Sequence, residues 1–221
     1  MGHRVFIPRR RILGSAVALG GLAAAAPLRA ALPPFTPNQV MGPFYPVEKP
    51  LDQDADLTVV AGRDGAAEGR VVHVLGRVLN GRGAPVAGAR VEIWQANTHG
   101  RYTHAYDTNP APLDPNFEGY AVQTTDAEGR YRFKTIKPGA YPVTEDWSRP
   151  PHIHFDVSGR VGRTVTQMYF EDEPLNEVDR LLINTPQPDL LIARYQPLEA
   201  AGAGAGPDDL VVAWDIMLPQ L

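Results

Sequence analysis

Short alternating runs of apolar and polar residues dominate the chain after about residue 70. The run ARVEIWQA at 89–96 sets Val91 and Ile93 against Glu92 and Trp94, which is typical of a half-buried strand because side chains alternate between its faces. Clusters of Gly, Asn and Pro separate the runs and favour turns. The pattern predicts strands at 71–79, 89–96, 120–125, 131–136, 152–158, 164–170 and 210–218.

The connecting segments are long and show little periodicity. Residues 32–67 are predicted to be irregular, and residues 173–182 are a modest helix candidate. The connection at 97–118 is rich in proline, and long ordered loops of this kind tend to be functional. We therefore predict an all-β domain, a sandwich or open barrel of mostly antiparallel strands, whose long loops carry the functional site.

Residues 1–31 differ in composition from the rest. Four arginines, at positions 4, 9, 10 and 11, precede an apolar run at 12–28, and the segment lacks Asp and Glu. This layout predicts a signal peptide, and the adjacent arginines resemble a twin-arginine export signal. An uncleaved membrane anchor is the competing interpretation. We expect an exported protein, periplasmic or secreted, whose cleavage site is open among Ala26, Ala30 and Ala31.

The remaining chain is acidic. Residues 32–221 carry 16 Lys and Arg against 25 Asp and Glu, a net charge of about −9. This charge argues against nucleic acid or an anionic membrane surface as a partner, and no stable membrane partner is expected once the signal is removed. The chain has no cysteine, which excludes disulfides, thiolate metal sites and cysteine nucleophiles.

The candidate chemistry lies in four residues, Tyr102, Tyr141, His152 and His154. Their phenol oxygens and imidazole nitrogens suit ferric iron, because phenolate is a hard anionic donor that ionises readily beside a strongly charged cation. His-Ile-His in a strand would place both rings on one face. Each residue alone is a weak signal, since tyrosines and strand histidines often only pack. A ferrous site using the same histidines stays open, although no carboxylate stands at motif spacing.

Five motifs around these residues carry a family resemblance. In chain order they are EIWQAN (92–97), GRY (100–102), LDPNF (113–117), TIKPGAYP (135–142) and RPPHIHF (149–155). The series closely resembles the intradiol ring-cleavage dioxygenases, and among them the type of the protocatechuate 3,4-dioxygenase β subunit. The 39-residue separation of Tyr102 and Tyr141 also matches the two ligand tyrosines of that family.

The resemblance implies a mononuclear Fe(3+) site in a catalytic domain at 32–221. Tyr102 would be the tyrosinate that stays bound, Tyr141 the one that substrate displaces, and His152 and His154 the neutral ligands. The implied reaction uses O2 to cleave a catechol-type diol between its hydroxyl-bearing carbons, giving a muconate-type diacid. The expected partners are therefore a small aromatic diol and O2.

The resemblance also implies roles around the ligands. Arg149 would lie beside the substrate, Gln167 and Tyr169 on the strand behind the site, and Asp107 next to the loop of Tyr102. Two departures leave the ring substituent open. The separation of Tyr141 and His152 is about two residues shorter than in protocatechuate enzymes, and Val143 replaces the aromatic residue that commonly follows their Tyr-Pro.

A non-enzymatic interpretation competes with this one. The segments GRVLNGRGAPVAGAR (76–90) and TDAEGRYRF (125–133) also resemble transthyretin-like sandwich modules, which bind or support other domains. That pattern explains the fold but requires neither Tyr102 nor the His-Ile-His triplet, and a fold alone does not fix a function. Because one chain carries the whole ligand set, a homo-oligomer is a candidate assembly.

Overall fold

The computed structural model describes residues 1–2, 34–160 and 162–219. In this part of the chain there are eleven strands, one α-helix and three short 3-10 helices. The strands are β1 (Val71–Asn80), β2 (Arg90–Trp94), β3 (Tyr120–Thr124), β4 (Arg130–Ile136), β5 (Tyr141–Thr144), β6 (Trp147–Arg149), β7 (His152–Gly159), β8 (Gly162–Phe170), β9 (Ile192–Tyr195), β10 (Leu210–Ala213) and β11 (Ile216–Leu218). The helix is α1 (Arg180–Ile183), and the 3-10 helices are Pro174–Glu177, Pro188–Leu191 and Leu198–Ala201.

Nine strands form one strongly curved, nearly closed sheet in the order β11-β1-β10-β9-β8-β7-β2-β3, with β4 also paired to β1. Strands β5 and β6 form a separate hairpin. Most pairings are antiparallel, whereas β1 pairs in parallel with β10 and β11, and β8 with β9. The predicted all-β class with mostly antiparallel strands is therefore confirmed.

The inner face of this sheet holds the main hydrophobic core. Strand β7 shows the alternation, because Ile153, Phe155 and Val157 are fully buried in that core while His152 and His154 face the other way. Burial of such apolar side chains contributes about 25 cal/mol per Å² and fixes the register of each strand. Ile153, which lies between the two histidines, and Phe155, which follows them, thus anchor this strand in the core.

The predicted half-buried strand at 89–96 is buried on both faces. Glu92 and Trp94 are almost inaccessible to solvent because residues 41–45 cover their face of the sheet. The carboxylate of Glu92 accepts hydrogen bonds from Tyr45 Oη at 2.8 Å and Lys49 Nζ at 2.8 Å. These partners compensate for the loss of water around a buried charge.

The predicted strand at 210–218 is interrupted. Strands β10 and β11 pair with the two ends of β1, and Trp214 turns its backbone between them so that its N–H donates to Leu75 O at 2.8 Å. Gly76 lies under this turn, and a Cβ there would overlap Trp214 O. The break follows from a close backbone approach that the apolar pattern did not reveal.

The predicted helix at 173–182 is wrong as a single element. It is a 3-10 helix at Pro174–Glu177 and the short helix α1, separated by Val178 and Asp179. Asp179 is extended (ψ 112°) and caps α1, since its carboxylate accepts from Leu182 N at 3.2 Å. The extended backbone of Asp179 therefore divides the predicted helix into two short elements.

The predicted irregular segment at 32–67 forms no strand within 34–67, apart from an isolated bridge between Asp56 and Lys134. Among the described residues no helix is long and apolar enough to cross a membrane. The signal peptide predicted at 1–31 lies outside the described residues except for Met1 and Gly2, and it stays a prediction.

Candidate active site

Both histidines of the His-Ile-His triplet project from β7 into a buried region. Each is 2% exposed. The Nδ1 of His152 lies 2.7 Å from Pro150 O. Because a carbonyl oxygen only accepts, this nitrogen carries the proton and the lone pair stays on Nε2, where it accepts a hydrogen bond from Arg149 Nη1 at 3.1 Å. Pro150 therefore sets the tautomer that a metal ligand needs.

The imidazole of His154 is held by stacking. Its ring lies 4.9 Å from the Trp94 ring at an interplanar angle of 11°, and 4.9 Å from the His152 ring. The Nδ1 of His154 is buried and has no hydrogen-bond partner among the described residues. Buried polar atoms without a partner are uncommon and costly, and they often mark a site for an ion or ligand.

Tyr102 reaches the histidines from the loop that follows β2. Its backbone N–H donates to Asp107 Oδ2 at 2.7 Å, which fixes the loop. Gly100 (φ 78°) packs against Ala140 so closely that a Cβ would collide with the Ala140 carbonyl. This contact brings the loop of Tyr102 against the segment that carries Tyr141.

Tyr141 begins the hairpin of β5 and β6, which was not among the predicted strands. It pairs with Arg149 across that hairpin. Its hydroxyl lies 3.4 Å from His152 Nε2, and its ring centroid lies 5.7 Å from that of Tyr102. The Tyr102 ring is in turn 6.2 Å from the His154 ring. The fold thus brings together all four residues that the sequence proposed as ligands.

The protonation of the four groups follows from burial. Burial, and next the charge of Arg149, lowers the pKa of both His152 and His154 well below the usual histidine value, so both rings are neutral near neutral pH. Burial raises the pKa of the Tyr102 and Tyr141 phenols. A phenolate is stable here only if a cation binds between these oxygens. Tyr102 is 3% exposed, and its hydroxyl has no hydrogen-bond partner among the described residues.

Arg149 is the buried cation beside the site. Its Nη1 donates to His152 Nε2 at 3.1 Å, and its Nη2 donates to Tyr169 Oη at 2.7 Å. Asp179 accepts from Arg149 Nε at 3.1 Å and Nη2 at 3.0 Å. Burial alone would lower the pKa of Arg149, but the hydrogen bonds with Asp179 outweigh it and raise that pKa.

Asp179 was missed by the sequence reasoning. Its position before RLLI (180–183) indicates a helix cap, but nothing in the sequence pairs it with Arg149, 30 residues earlier. The other proposed neighbours do lie close. Tyr169 and Gln167 face His152 and His154 across β8, and Gln167 Nε2 donates to Val40 O at 2.9 Å. These contacts connect β7, through β8, to the backbone at Val40.

A cavity of about 550 Å³ opens beside Tyr141, Arg149 and His154. That volume suits a small aromatic molecule. Its apolar lining includes Val40, Phe44, Pro110, Val143, Trp147 and Leu181. No three His, Cys, Asp or Glu side chains of the described residues converge as a metal site. Within that part of the chain, a ferrous site of two histidines and one carboxylate has no carboxylate to complete it.

Comparison with known proteins identifies the family of this chain. A family model described as dioxygenase matches residues 40–220, which include all of β1 to β11 and all four site residues. The chain belongs to the intradiol ring-cleavage dioxygenases. These are oxidoreductases, and the non-catalytic transthyretin-like interpretation is not favoured.

Named relatives support this membership. The chain is 49% identical over 160 residues to the protocatechuate 3,4-dioxygenase beta chain of Burkholderia cepacia, covering 69% of this chain and 68% of that one. It is 32% identical over 179 residues to a hydroxyquinol 1,2-dioxygenase of a Rhizobium strain, covering 74% of this chain and 56% of the relative. This chain therefore spans little more than half the length of the latter enzyme.

A solved structure agrees with the sequence comparison. The dioxygenase domain of a dioxygenase carbohydrate-binding protein fusion from Streptomyces sp. SirexAA-E superposes with a TM-score of 0.63 at 25% identity. The match covers 85% of this chain and 100% of that domain. The curved sheet described above is thus the fold of this dioxygenase family.

Proposed function

We propose that this protein is a non-haem Fe(III) dioxygenase that cleaves the ring of a catechol-type diol between its two hydroxyl-bearing carbons. The product is a muconate-type diacid. One C–C bond breaks and both atoms of O2 enter the product, so the reaction needs no external reductant. The observation that carries the proposal is the convergence of two phenols and two neutral imidazoles beside the cavity, which Tyr141 and His154 line.

The four side chains fit ferric iron. Tyr102 Oη and His154 Nδ1 are buried without partners among the described residues, and His152 Nε2 presents a lone pair. Two phenolates supply the anionic oxygen donors that a hard trivalent cation favours, and neutral histidines complete the set without adding charge. We therefore propose Tyr102, Tyr141, His152 and His154 as the iron ligands.

Ferric iron, when bound, would hold the diol and activate it towards O2. The protein's own groups prepare this chemistry. Tyr141 borders the cavity, so its phenolate can accept a proton from an entering diol hydroxyl. The Arg149 guanidinium is fixed by Asp179 and stabilises negative charge on the bound ring. The apolar walls exclude water and strengthen both effects.

Visible absorption and iron content test the ligand assignment. Tyrosinate bound to ferric iron absorbs visible light, so the iron-loaded protein should be red-brown. Tyr102→Phe should shift or bleach that band, because one phenolate is lost, and His152→Ala should lose most of the iron. Tyr106→Phe is the matched control, since Tyr106 is exposed and also lines the cavity; it should keep the band and the metal.

A colourless, iron-free protein after expression with iron would refute the proposal of a ferric iron site. Wild-type iron content and spectrum in both Tyr102→Phe and His152→Ala would show that the ligands are elsewhere. A red-brown protein that cleaves no catechol-type diol would keep the metal site but overturn the reaction.

We also propose that residues 1–31 direct export and that copies of this chain assemble with one another. Support for export is the arginine-rich, acid-free leader composition. Sequencing the N-terminus of the protein recovered from the periplasm or medium tests the first proposal, since an intact Met1 would contradict cleavage. Sedimentation of the purified chain tests the second.

A further inference from the structure

The cation nearest the candidate metal centre is held by Asp179 and Tyr169 through two of its three nitrogens. Arg149 uses Nε and Nη2 on Asp179, Nη2 also on Tyr169, and Nη1 on His152. It is 4% exposed, so water does not replace these partners. Iron bound at His152 Nε2 would release Nη1 alone, whereas a substrate carboxylate that takes two donors of Arg149 would have to displace Asp179 or Tyr169 and leave buried partners unsatisfied.

The described residues that line the cavity offer no other Lys or Arg. Two carboxylates, Asp107 and Glu145, do line it. Arg180 lies near its rim, but its Nη2 is 2.6 Å from Asp146 Oδ2 and its guanidinium stacks on Trp147. Arg149 is paired with Asp179 and Arg180 with Asp146, so Asp107 and Glu145 leave a net negative charge around the cavity. An anionic ring substituent would be repelled there.

The rest of the wall combines apolar side chains with uncharged polar ones. Val143 and Trp147 come from β5 and β6, and Val40, Phe44 and Leu181 close the cavity from other segments. The uncharged polar lining residues are Tyr106, Thr108, Asn109 and Thr144. Val143 is 46% exposed at its mouth. A methyl group or a hydrogen on the substrate ring would meet the apolar side chains without loss of hydration, whereas a carboxylate would lose water and meet only uncharged donors there.

We propose that this cavity selects an aromatic diol whose ring bears only hydrogen or a small apolar substituent, and that it discriminates against a carboxylated diol. This assignment rests on the proposed ring-cleavage function. The proposed preference differs from the substrate in the name of the Burkholderia cepacia relative, a protocatechuate 3,4-dioxygenase beta chain that is 49% identical to this chain. The cavity wall, rather than overall identity, decides which ring fits.

The test compares 4-methylcatechol with 3,4-dihydroxybenzoate, which share the diol and the substituted position but differ in charge. For the full iron-loaded chain, kcat/KM for 4-methylcatechol should exceed that for 3,4-dihydroxybenzoate by at least about tenfold, equivalent to about 1.4 kcal/mol. Each diol is also titrated into the protein without O2, and binding is followed by tryptophan fluorescence because Trp147 lines the cavity. The dissociation constants should show the same preference, independently of turnover.

Val143→Arg should reverse part of this preference by placing a cation at the mouth of the cavity. Val59→Arg is the matched control, because Val59 is also 46% exposed and lies outside the cavity lining. The ratio of the two kcat/KM values should shift towards the carboxylated diol by at least about threefold in Val143→Arg, and stay at the parent value in Val59→Arg.

The outcomes separate the two proposals. Equal or preferred binding and cleavage of 3,4-dihydroxybenzoate by the parent protein would overturn the substrate assignment and leave the ring-cleavage function standing. An unchanged ratio in Val143→Arg would overturn the argument that charge at the cavity decides selection. Cleavage of neither diol by an iron-loaded protein, nor of unsubstituted catechol, would overturn the proposed function and the substrate assignment with it.

Discussion

The Asp179→Asn variant probes what holds Arg149 beside the candidate metal centre. Asp179 is fully buried, and its two oxygens accept from four donors. Oδ1 accepts from Arg149 Nε at 3.1 Å and Trp147 Nε1 at 3.3 Å, and Oδ2 accepts from Arg149 Nη2 at 3.0 Å and Leu182 N at 3.2 Å. An asparagine keeps one oxygen, so its amide NH2 must face two of these donors whichever way it is oriented.

The variant also leaves the buried guanidinium without its counter-charge. Removing one partner of a buried ion pair costs about 3–5 kcal/mol. For a chain of 221 residues, the corresponding drop in Tm is roughly 6–20 °C. Urea unfolding followed by tryptophan fluorescence should show a lower midpoint at an unchanged slope. The visible band of the iron-loaded variant should persist, because no proposed ligand changes.

Asp189→Asn is the control, since Asp189 is exposed and lies in the neighbouring 3-10 helix Pro188–Leu191; it should cost less than about 0.5 kcal/mol. The double variant Arg149→Leu with Asp179→Leu should recover much of the stability lost in Asp179→Asn, because neither charge is then left unpaired. A stability of Asp179→Asn within about 1 kcal/mol of the parent would refute the claim that this ion pair holds the region.

Two further predictions concern the fold. Gly76→Ala should lower the free energy of unfolding by about 1–3 kcal/mol, because its methyl would overlap Trp214 O; a urea midpoint equal to that of the parent would contradict the close approach. Burial raises the pKa of Asp56, but hydrogen bonds from Thr58 and Lys134 outweigh it and hold that pKa below its usual range. Asp56 therefore stabilises the fold above the unfolded-state pKa, and the stabilisation is lost as pH falls through the lower folded-state pKa. Asp56→Asn should lose less stability than the parent between about pH 5 and about pH 2, and identical acid profiles would exclude this role.

The predicted strand of the two histidines agrees with the structure for a local reason. In β7, the alternation of Ile153, Phe155 and Val157 with His152 and His154 has a period of two, which dictates one buried face and one histidine face whatever the rest of the chain does. The two tyrosines were proposed as ligands because of the motifs around them. The separation of Tyr102 and Tyr141 along the chain says nothing about their distance in space.

Contacts between distant segments were beyond the sequence pattern. Burial of Glu92 depends on Tyr45 and Lys49 crossing the outer face of β2, so a strand that reads as half-exposed is buried on both sides. The proposed helix at 173–182 breaks because the Asp179 backbone turns its carboxylate towards Arg149. Neither effect leaves a periodic signal, because each depends on one side chain meeting another from far along the chain.

The amino-acid sequence by itself determined the all-β class, the two-faced strand of the histidines and the chemical types of the proposed ligands, because those depend on local periodicity and on donor chemistry. Only the tertiary structure decided that the four residues meet, through the contact of Gly100 with Ala140 and the packing of His154 on Trp94. It alone also decided that Arg149 is neutralised by Asp179 and that the cavity has no free cation among its described lining residues. Charge balance in a cavity depends on which side chains face one another in space, and chain order does not contain that information.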